Sequence, residues 1–360
     1  MAKMADGVLG RDGDDAPRLK RRRPAAMADV ARLAGVSHQT VSRVINDSER
    51  VAPQTRDRVR EAMRLLNYRP NSMARALVTG RSRTVGVVGF NTTLFGPATT
   101  LFGIERSAHG ADYLTSVVSM PELNRQSLLL AVDRLRRHNV EGVLALASET
   151  TAIAALGAIS GELPLVALEA EPIEGVPTVA IDQYGGAVLA TRHLLELGHR
   201  TIAHIAGPAG SLEAQLRLAA FRDTLSAARC SPPPPVFGDW SPGSGYELAA
   251  RFAADPDLTA IFVANDQMAL GTLRALDEAG RRVPQDVSVV GFDGIPEGAF
   301  FTPPLTTVRQ DFVEIGRLGF ELLRRRIEDG PGPASHEVIG SALVLRASTG
   351  PPAGGDGRRI

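Results

Sequence analysis

A single cysteine, Cys230, rules out an internal disulfide, and no stretch approaches the ~20 consecutive apolar residues that a membrane-crossing helix needs. The first residues also lack an apolar run of signal-peptide length. Together these absences exclude a disulfide-framed secreted scaffold and a membrane-spanning protein, and they predict a soluble chain of the reducing cytoplasm. The sequence contains no GxxxxGK[ST] phosphate loop, no GxSxG nucleophile elbow and no zinc-ligand spacing. Neither an enzyme nor a bound metal or cofactor is therefore expected, and His138, His193, His199 and His204 read as helix-surface or structural residues.

What is present is unevenly distributed. The formal net charge is zero, yet residues 16–83 hold 16 Lys/Arg against 5 Asp/Glu, a net of +11, whereas residues 84–360 carry −9 and residues 1–15 carry −2. A basic front joined to an acidic body is the electrostatic footprint of one small domain that meets a polyanion. Solvated helix faces would account for isolated arginines, but not for an imbalance that stops near Arg83. At 360 residues the chain has room for about two to three domains of ~100–200 residues each.

Residues 1–24 are rich in Gly, Asp and charge, end in the run Arg18-Leu19-Lys20-Arg21-Arg22-Arg23-Pro24, and are expected to form a disordered basic arm. From Met27 the apolar residues return at helical spacing. Val30, Leu33 and Ala34 form one face of a first helix, and Gly35 and Val36 turn the chain. Ser37 can cap a second helix with Val41, Val44 and Ile45 inward, and a third runs from Pro53 to Leu66 on Val59, Met63 and Leu66. Pro70 ends this 25–69 unit; Asn71 can cap a short helix over Ser72–Leu77, giving a 70–80 linker.

Beyond Thr84 short β-rich runs alternate with amphipathic helices, the pattern of parallel βαβ architecture. The strands are expected at Thr84–Gly89, Tyr113–Ser119, Gly142–Leu146, Pro164–Leu168, Thr201–Ala206, Ala260–Val263 and Val287–Phe292. Helices fill Leu123–His138, Gly185–Leu197, Leu212–Ala228 and Gln267–Ala279. So many units exceed one sheet, which predicts two similar lobes: 83–181 with 312–337, and 182–311 with 338–349. The tail over 350–360 is Gly/Pro-rich, reads as disordered, and has no leucine heptads.

A major-groove reader needs a short helix that offers hydrogen-bonding side chains on one side and packs apolar ones on the other. The stretch AGVSHQTVSRVIN, Ala34–Asn46, meets that need. His38, Gln39 and Arg43 share a face, Thr40 and Ser42 are in reach of phosphates, and Asn46 follows at the helix end. Arg43 suits the O6 and N7 of guanine, and Gln39 suits adenine.

These residues, with TRDRVREAMRLLNYRPNSMARAL after them, resemble without gaps the headpiece of the lactose/galactose repressor (LacI/GalR) family. The resemblance implies an α/β protein with an all-α helix-turn-helix headpiece and a two-lobed core, like a periplasmic binding protein, built on parallel sheets. It implies that His38, Gln39 and Arg43 read bases and that Asn71–Leu77, Ala74 included, is a hinge helix that folds on operator DNA. Leu77 becomes the apolar wedge inserted into the minor groove, where unstacking a base step bends the duplex.

In the core the resemblance is carried by QLRLAAF (215–221), GDWS (238–241), VANDQMALG (263–271), SVVGFD (288–293) and PPLTTVRQDF (303–312). Ligands of open α/β sheets lie at the carboxyl ends of strands, which draws attention to Glu169, Asn265, Asp266 and Asp293, each also a candidate cap or turn residue. By the resemblance, Arg217, Asn265 and Asp293 hydrogen-bond sugar hydroxyls and Trp240, the only tryptophan, forms an aromatic wall. Gln310 and Phe312 belong to a crossover beneath the pocket, with Gln310 also expected to bind the ligand. Glu169 stands where the family pattern leads one to expect an aspartate, Phe90 and Ala145 replace polar positions, and Ile181 keeps an apolar one. The expected function is a homodimeric transcriptional repressor that binds double-stranded operator DNA and is released by a small sugar, a galactoside among the candidates. The alternatives are a ligand that acts as corepressor, or a sugar-binding protein of transport, against which the basic front argues. The lack of a heptad tail predicts a dimer that assembles no further.

Overall fold

The computed structural model describes residues 25–45, 50–69, 80–90, 92–120, 124–146, 156 and 163–353. The expected arm (1–24), Asn46, the hinge with Asn71, Ala74 and Leu77, and the last seven residues lie outside the described ones. The chain divides into two units, Met1–Gly80 and Arg81–Ile360.

The first unit contains α1 (Met27–Ala34), α2 (His38–Ile45) and α3 (Pro53–Leu65). The Asp29 carboxylate accepts the Ala26 N–H (2.9 Å) at the start of α1, and Gly35 takes the left-handed conformation that closes it. Ser37 caps α2 as expected, its Oγ accepting the Thr40 N–H at 3.1 Å. Val30, Val41 and Val59 are fully buried, each burial contributing roughly 1.5–3 kcal/mol. One expectation fails: Leu33 is 51% exposed, and Ala31 turns inward instead. At 100° per residue the buried arc of α1 runs through Val30, Ala34 and Ala31, which leaves Leu33 past its edge.

In the second unit two six-stranded sheets stand in the orders β11-β5-β4-β3-β1-β2 and β12-β10-β9-β8-β6-β7. The first comprises β1 (Thr84–Phe90), β2 (Leu114–Met120), β3 (Gly142–Leu146), β4 (Leu165–Leu168), β5 (Thr178–Ile181) and β11 (His336–Ile339). The second comprises β6 (Ile202–Ala206), β7 (Val236–Phe237), β8 (Ala260–Val263), β9 (Ser288–Asp293), β10 (Thr306–Arg309) and β12 (Ala342–Val344). All neighbours pair in parallel except β12, which runs antiparallel to β10. Strands β3, β4, β6 and β8 are buried along their whole length, which is why they read as unbroken apolar runs.

The helices are α4 (Phe95–Gly110), α5 (Arg125–Arg137), α6 (Gln183–Glu196), α7 (Leu212–Ala227), α8 (Pro242–Ala253), α9 (Asp266–Glu278) and α10 (Phe312–Asp329). The chain crosses between the sheets three times: after β5, after β10, and between β11 and β12. The last crossing falls at 340–341, past the expected 337–338, because β11 pairs with β5 through Ile339. Helix α10 returns to the first sheet, packing Phe312, Ile315, Phe320 and Leu323 with Val85, Leu144 and Val166. It meets α4 at unusually close range: a Cβ on Gly103 would run into the Val313 carbonyl, and one on Gly316 into that of Thr100.

The tail does not come loose at 350. His199 Nε2 lies 2.8 Å from the Gly350 carbonyl, the Gly350 N–H donates to Ser288 Oγ at 2.9 Å, and His193 meets Thr349 Oγ1 at 2.9 Å. His204 is structural too, stacked on Phe221 and Phe262, with burial holding it down to about 4 and therefore neutral.

Candidate functional site

Two surfaces carry the chemistry that the sequence singles out. On α2, His38, Gln39 and Arg43 are exposed, while Val41 and Val44 on the opposite side fill the helical core. Thr40 and Ser42 are half-buried, and Thr40 Oγ1 lies 2.9 Å from Ser37 Oγ. The outward face thus presents one long cation, one amide and one imidazole, with an apolar anchor behind.

The second surface is a cleft of about 350 Å³ in the larger unit, lined from both sheets. Five of the expected residues line it: Glu169 just after β4, Arg217 on α7, Trp240 before α8, Asn265 after β8 and Asp293 at the end of β9. Apart from α7 these are strand-to-helix or strand-end positions, where an open α/β sheet leaves its carboxyl ends accessible. Leu94, Phe95, Leu146 and Phe312 supply its apolar first-lobe side.

Arg217 and Asp293 are both buried and are locked to each other through two glutamines. The guanidinium donates from Nε to Gln183 Oε1 (2.9 Å), and Gln183 Nε2 donates to Gln310 Oε1 (2.8 Å). Gln310 Nε2 donates to Asp293 Oδ1 (2.7 Å), which lies 3.4 Å from Arg217 Nη2 and closes the ring. Nη1 bonds the Ala264 carbonyl, and the guanidinium carbon sits 4.0 Å from the centroid of the Phe292 ring. Burial pushes the Asp293 carboxyl up to about 6 against the opposing pull of Arg217 and Gln310. Gln183 and Gln310 stand at the first and second chain crossings, so the ring ties the floor of the cleft to both.

Trp240 adopts φ 72°, Glu169 φ 57° and Asp293 φ 103°, conformations that side-chain-bearing residues rarely take. Such backbone strain gathers at binding sites, where the surrounding fold enforces it. A Cβ on Gly207 would enter the indole of Trp240, so this glycine lets the ring come close to the backbone. Asn265 does two jobs: its Oδ1 caps α9 by accepting the Met268 N–H at 2.9 Å, and its Nδ2 donates to the Trp240 carbonyl at 3.2 Å. Asp266, by contrast, is buried below the cleft. It accepts from Thr307 Oγ1 (2.6 Å) and the Ile295 N–H (2.9 Å), and burial with Asp293 nearby lifts it to about 7.

Three expectations need correction. Gln310 does not line the cleft; it is a buried link in the ring. Ile181 packs in the core of the first sheet and borders a second hollow of about 230 Å³, because its strand turns that side chain away from the cleft. Ala145 is likewise a core residue, and its neighbour Leu146 faces the cleft, successive residues of a strand pointing to opposite faces. Phe90 ends β1, and its side chain lies outside those described.

The sequence reading missed Gln183, Glu213, Asp239 and Gln267. Glu213 was detectable: Ser211 caps α7, and the Glu213 carboxylate accepts the Ser211 hydroxyl at 2.6 Å in its first turn. Glu169 Oε2 is 3.5 Å from the Ile181 N–H, while no described residue donates to its buried Oε1. Burial and the neighbouring Glu213 push Glu169 up to about 8, and burial raises Glu213 as well.

A carboxyl raised in the fold binds a proton that the unfolded chain has already released. Its contribution to stability is complete below about pH 4.5 and is lost as pH rises through about 8. Glu169→Gln is therefore expected to melt several degrees above the parent at pH 8, with the advantage shrinking toward pH 5. Melting curves that stay parallel across that range contradict the assignment.

Among the described residues no helix is long and apolar enough to cross a membrane. Residues 26–71 match the model of bacterial regulatory proteins of the lacI family, and residues 191–349 match a periplasmic binding protein-like domain. The chain is 34% identical to the lactose operon repressor of Escherichia coli K12 over 332 residues, 91% of each protein. It is 33% identical over 337 residues to the HTH-type transcriptional repressor PurR of Haemophilus influenzae strain PittEE, covering 90% of this chain and 98% of the other. A crystal structure of the Lac repressor dimer bound to operator and the anti-inducer ONPF superposes with a TM-score of 0.83 at 33% identity, over 91% of this chain and all of the other. The relatives are repressors, not enzymes. With a helix-turn-helix unit ahead of a cleft between two six-stranded sheets, and similarity running through both, this chain belongs to the lacI family of bacterial regulatory proteins.

Proposed function

We propose that this chain is a sequence-specific DNA-binding repressor that acts as a homodimer and leaves its operator when a small carbohydrate fills the core cleft. The observation that carries the reading is the closed ring Arg217–Gln183–Gln310–Asp293 on the cleft floor. A guanidinium and a carboxylate held rigidly side by side, with the Asn265 amide nearby, can discriminate the stereochemistry of adjacent hydroxyls. The Trp240 indole offers a flat apolar surface for a sugar's C–H face.

The same ring explains how binding is transmitted. A ligand that pulls on Arg217 or Asp293 acts on Gln183 and Gln310, the residues at which the chain passes between lobes, and so biases the arrangement of the lobes. In the dimer, His38, Gln39 and Arg43 read each half-site, with Thr40, Ser42 and Asn46 on the flanking backbone. Asn71, Ala74 and Leu77 form the hinge that enters the minor groove between them. A ligand that prefers the non-binding arrangement by about 1–3 kcal/mol lowers operator affinity about 5–150-fold.

The test is an anisotropy titration of a palindromic operator duplex with and without a carbohydrate panel. The expected result is at least one sugar that weakens binding within that range. A sugar that tightens operator binding makes the ligand a corepressor and overturns release.

A further inference from the structure

We propose that the natural ligand of the cleft is an amino sugar whose protonated nitrogen is held by Glu169 and Glu213, rather than a neutral sugar, a sugar acid or a sugar phosphate. This rests on the carbohydrate reading above and narrows its ligand class.

The charge inventory of the cleft points that way. Among the described residues four carboxyl groups line it, those of Glu169, Glu213, Asp239 and Asp293, against one cation, Arg217. That cation is already bound to Asp293, Gln183 and the Ala264 carbonyl. A phosphate or carboxylate on the ligand would face an acidic wall with Arg217, the one cation among the described lining residues, engaged elsewhere, a poor site for an anion.

Of the four acids, Asp293 pairs with Arg217 and Asp239 accepts from Ser241 in its own turn, whereas Glu169 and Glu213 have no ion-pair partner among the described residues. They stand together where the cleft meets the second hollow, and both border both cavities. Glu213 accepts a hydroxyl from Ser211, Glu169 accepts a long backbone contact from Ile181, and Glu169 Oε1 is sealed from solvent with no described donor. Burial and the nearby Glu213 raise the proton affinity of Glu169, and burial together with Asp293 raises that of Glu213. An ammonium group brings three N–H donors and one positive charge, enough to bond both carboxyl groups and favour their ionised form, with Glu169 releasing to solvent the proton that burial holds on it. A neutral hydroxyl offers one donor and no charge, and leaves the pair uncompensated.

Trp240 makes the test direct, because it is the only tryptophan in the chain and lines the cleft. The full chain is titrated, by intrinsic fluorescence and by melting temperature, with hexoses, their 2-, 3- and 6-amino-deoxy counterparts, the N-acetyl derivatives and the 6-phosphates. At least one amino sugar is expected to bind about tenfold or more tighter than its hydroxy parent. N-acetylation, which removes the charge, should erase that preference, and the phosphates should bind weakest. In Glu213→Gln the ratio of amine to parent affinity should fall toward one. Parents or phosphates that bind as tightly as the amines overturn the proposal and leave the carbohydrate reading standing. A preference that survives Glu213→Gln overturns the assignment of the pair. If no member of the panel moves either signal, the carbohydrate reading falls along with the proposal.

Discussion

Arg217→Ala is expected to abolish the response to ligand while operator binding persists, and to lower the melting temperature of the core. Three of the five N–H donors of Arg217 bond protein groups, and its guanidinium stacks on Phe292. Removing it strands the Asp293 carboxylate, the Gln183 amide oxygen and the Ala264 carbonyl in a buried place. Breaking one side of a buried ion pair costs about 3–5 kcal/mol, and Asp293 relieves part of that by taking up a proton. Arg217→Lys should not restore the response, since a single ammonium cannot bond Gln183, Ala264 and Asp293 in the planar fork those partners fit. The check is paired: operator affinity by anisotropy and ligand binding by Trp240 fluorescence on the same preparation. Loss of both at once, in a protein that still melts cooperatively, would mean that the two sites are not separable as described here.

Arg43→Ala should weaken binding to the specific operator by about 1–3 kcal/mol, equivalent to about 5–150-fold, with a much smaller loss on random duplex. Arg43 is exposed on α2, two residues after buried Val41 and one before buried Val44. Its truncation therefore removes the proposed base contact without disturbing the helical core. Equal losses on specific and random DNA would reduce Arg43 to a phosphate contact. A second expectation separates the roles further: Gln39→Ala should relax base preference at one position of each half-site, whereas changes at phosphate-facing residues should lower affinity across all sequences.

How much of this was legible before the structure depends on the length and period of each element. The headpiece read well because its caps are local chemistry: Ser37 before α2, Gly35 after α1 and Pro53 at the start of α3 each act within one turn. Where period alone decided, the reading slipped, as with Leu33 and Ala31, which sit on opposite borders of the buried arc of α1. In the core, β5, β10 and β11 are four-residue strands, TVAI, TTVR and HEVI, that carry polar residues and so lack the unbroken apolar run that exposed the equally short β4 and β8. Their pairing makes them strands: β5 with β11 across more than 150 residues, and β10 with β9. Helix α4 was missed because its Gly and Pro look like a loop, although Gly103 is what lets it approach α10.

The site divides along the same line. Asn265, Asp293 and Glu169 follow strands that were visible, whereas Gln183 follows β5, which was not. That Gln310 is a link in the ring rather than a wall of the cleft depends on where Gln183 and Asp293 come to lie, a long-range fact that no local pattern encodes.

Reciprocity gives the most direct test of the central claim that one conformational equilibrium joins the reader helix to the cleft. If sugar lowers operator affinity by some factor, saturating operator must lower sugar affinity by that same factor. Sugar binding is followed through Trp240 with and without operator duplex, and operator binding is followed with and without sugar. The account predicts two shifts of equal size. A sugar affinity indifferent to operator, beside a duplex affinity indifferent to sugar, would contradict it.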